Sequence, residues 1–150
     1  TLSEIGAYAF SETGITSVPA YTSDVKIGKY AFAYSDLTSV TIPDGMVIEE
    51  GVFSECASLQ TVVIGSNVTI GKYAFLDCSN LQNVSIPDSI TYIGIDVFDG
   101  CDSLQYNEYD NALYLGNENN PYMVLVDTKT DNVTSFEIHN ETKFSLFPFQ

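Results

Sequence analysis

Ile70-Gly71-Lys72-Tyr73-Ala74-Phe75-Leu76-Asp77-Cys78-Ser79-Asn80-Leu81-Gln82-Asn83-Val84-Ser85-Ile86-Pro87 decides the fold, because both of its halves recur along the chain. The first half is matched by Ile5-Gly6-Ala7-Tyr8-Ala9-Phe10, Ile27-Gly28-Lys29-Tyr30-Ala31-Phe32, Ile48-Glu49-Glu50-Gly51-Val52-Phe53 and Ile93-Gly94-Ile95-Asp96-Val97-Phe98. Its phenylalanines step by 22, 21, 22 and 23 residues. The second half is matched by Ile15-Thr16-Ser17-Val18, Leu37-Thr38-Ser39-Val40-Thr41-Ile42-Pro43 and Leu59-Gln60-Thr61-Val62-Val63-Ile64-Gly65. Its first position steps by 22 three times and then by 23 to Leu104. Two ladders locked in phase are the mark of a repeat architecture.

The period has a physical reading. Val40-x-Ile42 and its copies alternate apolar and polar residues, the two-residue period of a strand with one buried face. The proline or glycine that follows ends the strand. The Ile-Gly block is too short for a stable helix, so it predicts one helical or 3₁₀ turn ending near each Phe. One such coil cannot bury its own apolar side; stacking at roughly 4.8 Å per coil does, and lines Leu, Val, Ile, Ala and Phe into internal columns. The expected fold is an α/β repeat solenoid of 21–23-residue coils with one parallel sheet of short strands.

The array changes near its end. Asn107 stands where Val is expected after Leu104. Asn111–Leu115 and Tyr122–Val126 are strand-like runs joined by the turn-rich Gly116–Pro121, which predicts a hairpin insertion over about 106–127. Val133-Thr134-Ser135-Phe136-Glu137-Ile138 restores the strand block 29 residues after Leu104. Phe144 and Phe149 keep the five-residue spacing of Ile27 to Phe32, with Ser145 and Pro148 in place of glycine and alanine. The organisation expected is a single solenoid over 1–150: repeats to about 105, the insertion, a further repeat strand at 133–138 and a truncated repeat over 139–150. Because the chain starts and stops in mid-repeat, a segment of a longer protein is expected.

The pattern Ile-Gly-x-x-Ala-Phe-x-x-Cys-x-x-Leu-x-x-Val-x-Ile-Pro, best kept from Ile70 to Pro87, resembles the BspA-like leucine-rich-repeat family of bacterial and protist surface proteins. Thr13 and Ser35 depart from it at the cysteine position and Glu49 at the glycine position. The resemblance implies a solenoid, a cell-surface or secreted location, and roles in adhesion or host contact. It implies no particular ligand.

Composition excludes several functions. Twenty acidic residues against five lysines and no arginine give a formal net charge of −15. That balance repels phosphate, so no nucleic-acid footprint can be assembled, and anionic membranes are disfavoured. No apolar run approaches the roughly 18 residues of a membrane span, and Thr1–Phe10 has no basic start or apolar stretch. The charge itself reads most simply as solubility.

The chemical candidates reduce to packing. Cys56, Cys78 and Cys101 each lie three residues after a ladder Phe, so they share one place in successive coils and read as buried free thiols. Zinc would need a fourth ligand and another spacing. His139, the only histidine, is expected on a surface turn without a nucleophile partner. Gly65–Lys72 imitates a phosphate loop, but Tyr73 stands where Ser or Thr must hold magnesium. Asp96, Asp99 and Asp102 suggest calcium, yet match no known calcium loop and read better as a solvated edge. The sequons at Asn67, Asn83, Asn132 and Asn140 would matter only in a glycosylating host and read as incidental, since Asn-Val-Thr arises readily from the repeat. No catalytic residue, metal or cofactor is predicted.

Binding by solenoids uses aligned strands, which places Ser39, Thr41, Thr61, Val63, Asn83 and Ser85 on an outward face. Tyr114 and Tyr122 of the insertion are further contact candidates, since tyrosine makes a good anchor. The expected function is a non-catalytic surface or secreted module that binds a host or matrix protein. The alternative is a structural spacer within a larger surface protein. Open solenoid ends also predict end-to-end self-association.

Overall fold

A computed structural model of the chain describes residues 2–146. Its coils stack in one direction, and the phenylalanines test this most directly. Phe10, Phe32, Phe53, Phe75 and Phe98 form a column with successive ring centroids 5.3, 5.7, 5.5 and 6.1 Å apart and planes within 11° of parallel. Those spacings lie in the range that favours offset stacking. Leu37, Leu59 and Leu81 are fully buried in the same core, beside Val40, Val62, Ile42 and Ile86.

Each coil contributes to three walls. The first holds β3 (Ser39–Ile42), β5 (Thr61–Ile64) and β7 (Asn83–Ser85), parallel in that order. The second holds two-residue strands: β1 (Glu4–Ile5) pairs with β2 (Lys26–Ile27), and β4 (Val47–Ile48), β6 (Thr69–Ile70) and β8 (Tyr92–Ile93) form a parallel set. The sheet expected from the sequence is therefore more than one. The Ile of each Ile-Gly block is the inward residue of a second strand, because the alternation that buries Ile48 and Ile70 turns Val47 outward and leaves Thr69 half-exposed. The glycine follows where coils come closest: a Cβ on Gly28 or Gly94 would overlap the backbone of the coil before it.

The third wall replaces the helical turns that the Ile-Gly-x-x-Ala-Phe spacing predicts; among the described residues no helix forms. Donors alternate there. Ala31 N and Ala33 N close turns onto Gly28 O and Tyr30 O, while Tyr30 N, Phe32 N and Tyr34 N reach Glu50 O, Val52 O and Ser54 O of the next coil. The residues two before and two after each ladder Phe have positive φ: Tyr8 and Glu12, Tyr30 and Tyr34, Gly51 and Glu55, Tyr73 and Asp77, Asp96 and Gly100. A left-handed residue at these two places prevents a helix from propagating and turns every second N–H along the stacking axis. The conformation costs on the order of 1–2 kcal/mol for a non-glycine residue, offset here by the backbone bonds between coils.

The first and last strand blocks are weaker than the repeat predicts. Ile15–Val18 form no strand; Pro19, aligned with Thr41, has no N–H to give a ladder, and one long bond from Thr38 N to Thr16 O (3.4 Å) remains. After Leu104 the chain leaves the first wall for β9 (Asn107–Tyr109), β10 (Ala112–Leu115), β11 (Val124–Thr128) and β12 (Phe144–Ser145), in sheet order β12-β11-β10-β9. β10 runs antiparallel to both β9 and β11, and β12 joins β11 in parallel. Asp110 and Asn111, both at positive φ, make the two-residue turn from β9 to β10. The loop between β10 and β11 docks on the solenoid: Ile86 N donates to Gly116 O at 2.9 Å, and Asn117 Nδ2 donates to Ile86 O at 2.8 Å.

The strand expected over 133–138 does not form. Within it Val133 N turns back to Thr130 O at 3.4 Å and Glu137 N bonds to Asp110 Oδ2; just beyond it His139 N donates to Tyr114 Oη at 3.3 Å. Pro148 and Phe149, expected to end a last repeat, lie outside the described residues.

Candidate functional site

The outward side of the first wall is built from strand register. Parallel pairing aligns Ser39, Thr61 and Asn83 in one row and Thr41, Val63 and Ser85 in the next. All six side chains are exposed, because the alternation that buries Val40, Val62, Ile42 and Ile64 turns their neighbours to solvent. Val63, at the centre, is 60% exposed and is the large apolar residue of the patch. The rows carry hydroxyl, amide and methyl groups and no charge, on a molecule of net charge −15.

Two features extend this surface beyond the sequence reading. Gln60, Gln82 and Gln105 are exposed beside the rows, their backbone N–H groups donating to the residues one coil back at 3.0, 3.0 and 3.2 Å. The repeated Leu-Gln dipeptide was the signal for them. At the N-terminal side, Tyr21 Oη donates to Thr41 O at 3.2 Å, and residues 17–21 with Ser39, Thr41 and Pro43 enclose a shallow groove of about 340 Å³. Burial pushes the Tyr21 phenol up to about 12.

The insertion tyrosines do not join the site as expected. Tyr114 is completely buried, with Ala112 and Leu125, so it cannot meet a partner. Its ring stands at 90° to that of half-buried Tyr122, 5.6 Å away. His139 is half-buried, not on an open turn: it stacks on Tyr122 at 4.1 Å and meets the ring of Tyr109 edge-on at 4.7 Å. These rings hold segment 133–142 against the appended sheet, far from the strand rows in sequence. Aromatic spacing cannot distinguish such internal packing from an exposed anchor.

The thiols are committed to the core. Cys56, Cys78 and Cys101 are buried and unpaired by disulfide, and each Sγ donates to the carbonyl of the ladder Phe one coil back: Phe32 at 3.2 Å, Phe53 at 3.1 Å and Phe75 at 3.1 Å. In earlier coils Ser35 and Thr13 place a hydroxyl on the Phe carbonyl of their own coil, at 2.7 and 2.6 Å. Burial raises the Cys56 thiol, and a neighbouring thiol together with burial raises Cys78, so neither offers a thiolate. Asp96, Asp99 and Asp102 line a cavity of about 480 Å³ between the last coil and β10/β11, with Asp127 opposite. Among the described residues no group of three or more His, Cys, Asp or Glu side chains is placed to hold a metal ion.

The family described as the BspA-type leucine-rich-repeat region matches residues 1–118 in six copies. Searches of curated proteins and of solved structures find no match. The matched span contains the Phe column, both parallel walls and the six-residue outward face. Leucine-rich-repeat domains are generally protein-binding and non-enzymatic, and proteins carrying this type are generally surface-associated. With the repeat, its stacking and its register in agreement, the chain belongs to the BspA-type leucine-rich-repeat family.

Proposed function

We propose that this chain is a non-catalytic adhesion module, carried on a cell surface or secreted, that binds a host or matrix protein through the outward rows of the first wall. Ser39, Thr61 and Asn83 with Thr41, Val63 and Ser85 supply the contact. The observation that carries the reading is the exposed Val63 set in an uncharged row of hydroxyl and amide groups. A central apolar residue ringed by polar ones has the anatomy of a small protein interface.

The competing reading is a spacer within a larger surface protein. It draws support from the same rows, which hold no aromatic or arginine anchor of the kind that dominates binding energy. A triple variant Thr61→Lys, Val63→Glu, Asn83→Lys separates the two. Each change sits on an exposed position, so folding should survive. Under the adhesion reading, the parent captures an extracellular-matrix or host-surface protein in a binding screen and the variant does not. No capture by the parent at high micromolar concentration, or equal capture by the variant, would discard this face as the contact surface.

A further inference from the structure

The third wall presents two outward columns that flank the Phe column, and their composition is not explained by the fold. Every coil demands a left-handed backbone at the residues two before and two after the Phe, a conformation that suits glycine best. Gly51 and Gly100 meet that demand. The other eight of the ten places hold Tyr8, Tyr30, Tyr34, Tyr73, Glu12, Glu55, Asp77 and Asp96. A bulky residue at positive φ is an outlier with a cost, and burial does not repay it here. Tyr8 and Tyr34 are 61% and 54% exposed, and Tyr30 and Tyr73 are half-exposed.

The rings and carboxylates are arranged along the stacking axis. Tyr8 stacks on Tyr30 with centroids 5.4 Å apart and planes 8° from parallel. The Tyr30 ring lies over Gly51, where a Cβ would overlap it, and Asp77 leans over Gly100 in the same way. Tyr34 falls between Glu12 and Glu55 in its column, and the Glu55 carboxylate holds its phenol above the usual value. The two lysines of this wall are already engaged. Lys29 and Lys72 both reach the Glu50 carboxylate, at 3.2 and 3.8 Å, and Tyr30 Oη donates to it at 3.2 Å. Lys72 Nζ also lies over the Tyr73 ring, 5.4 Å from its centroid, while among the described residues no lysine lies over Tyr8 or Tyr34.

We infer that this tyrosine–carboxylate wall is a second interaction surface, separate from the strand rows, and that its partner is a lysine- or arginine-rich polypeptide segment. Charge complementarity identifies the partner. Carboxylates at Glu12, Glu55, Asp77 and Asp96 attract cationic side chains, and tyrosine rings stabilise them through their faces and hydroxyls. A second copy of the chain is a poor occupant, since each brings a formal charge of −15 to the contact.

The probe is fluorescein-labelled octa-arginine, followed by anisotropy at low and physiological salt, with octa-glutamate and neutral oligosaccharides as comparison ligands. The parent should bind octa-arginine, less tightly as salt rises, and bind the others far less. Tyr8→Gly and Tyr34→Gly remove a ring without changing charge and suit the left-handed backbone, so these variants fold. Together they should weaken octa-arginine binding by about tenfold, as loss of central aromatic anchors does. Glu55→Gln with Asp77→Asn should weaken it similarly, while Asp131→Asn with Glu137→Gln, the same charge change on exposed residues outside the wall, should not. The inference is overturned if octa-arginine does not bind. It is also overturned if the two charge pairs act alike, which would mark attraction by net charge alone, or if the tyrosine variants bind as the parent does. Tyrosine-dependent, salt-insensitive binding of an oligosaccharide in place of octa-arginine would overturn it in favour of a glycan surface. The strand-row variant Thr61→Lys, Val63→Glu, Asn83→Lys reports on the other surface, so the two readings fail independently.

Discussion

A ladder residue acts through its neighbours one coil away, which makes single side chains unusually consequential. Phe75 is completely buried between Phe53 and Phe98. Phe75→Ala leaves a hole in a column that cannot close without shifting two coils, and should destabilise by about 3–5 kcal/mol. Chemical denaturation measures this, and a loss under about 1 kcal/mol would place the ring outside the core. Tyr21 behaves differently, because its effect is a matter of protonation. Its folded-state pKa, about 12, lies above the usual 10. The neutral phenol is thus favoured by folding; its contribution is complete below pH 10 and is lost as pH rises towards 12. Tyr21→Phe should flatten the alkaline decline in stability over that window. It should also cost about 1 kcal/mol near neutrality through the lost bond to Thr41 O. An unchanged alkaline profile would show that Tyr21 is not the titrating group.

Among elements, the appended sheet is the part whose attachment decides most. Asn117 is the hinge pin of the β10–β11 loop: its Oδ1 accepts from Asn119 N and Asn120 N at 2.9 and 3.0 Å, and its Nδ2 donates to Ile86 O and Asp88 Oδ1, both at 2.8 Å. Asn117→Ala removes all four bonds and leaves Ile86 O with one donor fewer at the end of the first wall. A cost of about 1–3 kcal/mol is expected. Faster amide exchange should appear at Asn119, Asn120 and Ile86 but not at Phe32. Uniformly faster exchange would mean that the cap and solenoid unfold as one unit. The Asp110-Asn111 turn was legible beforehand, since that dipeptide favours the left-handed pair such a turn needs. Asn107, three residues earlier, interrupts the repeat and masks the turn. The segment 133–138 shows the opposite failure. Its alternation matches a strand, but a strand forms only where a neighbour offers a free edge, and here Asp110 takes the Glu137 N–H while Tyr114 takes that of the adjoining His139.

For the whole molecule, the dominant long-range term is the net charge of −15. Ion pairs are few among the described residues: Glu50 with Lys29 and Lys72, and Glu108 with Lys129. Exposed pairs contribute little, whereas self-repulsion acts over the full surface. Salt should therefore raise the melting temperature as the screening length shrinks from about 30 Å at 0.01 M to about 8 Å at 0.15 M. A fall in Tm over that range would mean that the ion pairs outweigh the repulsion. The same screening should weaken binding at the third wall and leave contacts of the uncharged strand rows nearly unchanged, a contrast that separates the two surfaces in one titration.

Periodicity alone determined the solenoid, the Phe and Cys columns, and the six outward residues of the first wall. Each follows from a local rule, alternation within a strand or identity of position between coils, that holds wherever the pattern holds. Only the tertiary structure decided what lies between those positions. It converted the expected helical turn into a third wall, because half of its N–H groups bond to the next coil. It made the Ile-Gly block a second strand. It buried Tyr114 and half-buried His139, because their surroundings come from segments with no repeat to announce them. A residue's spacing fixes which face it belongs to; whether that face meets solvent or another part of the chain depends on partners distant in sequence.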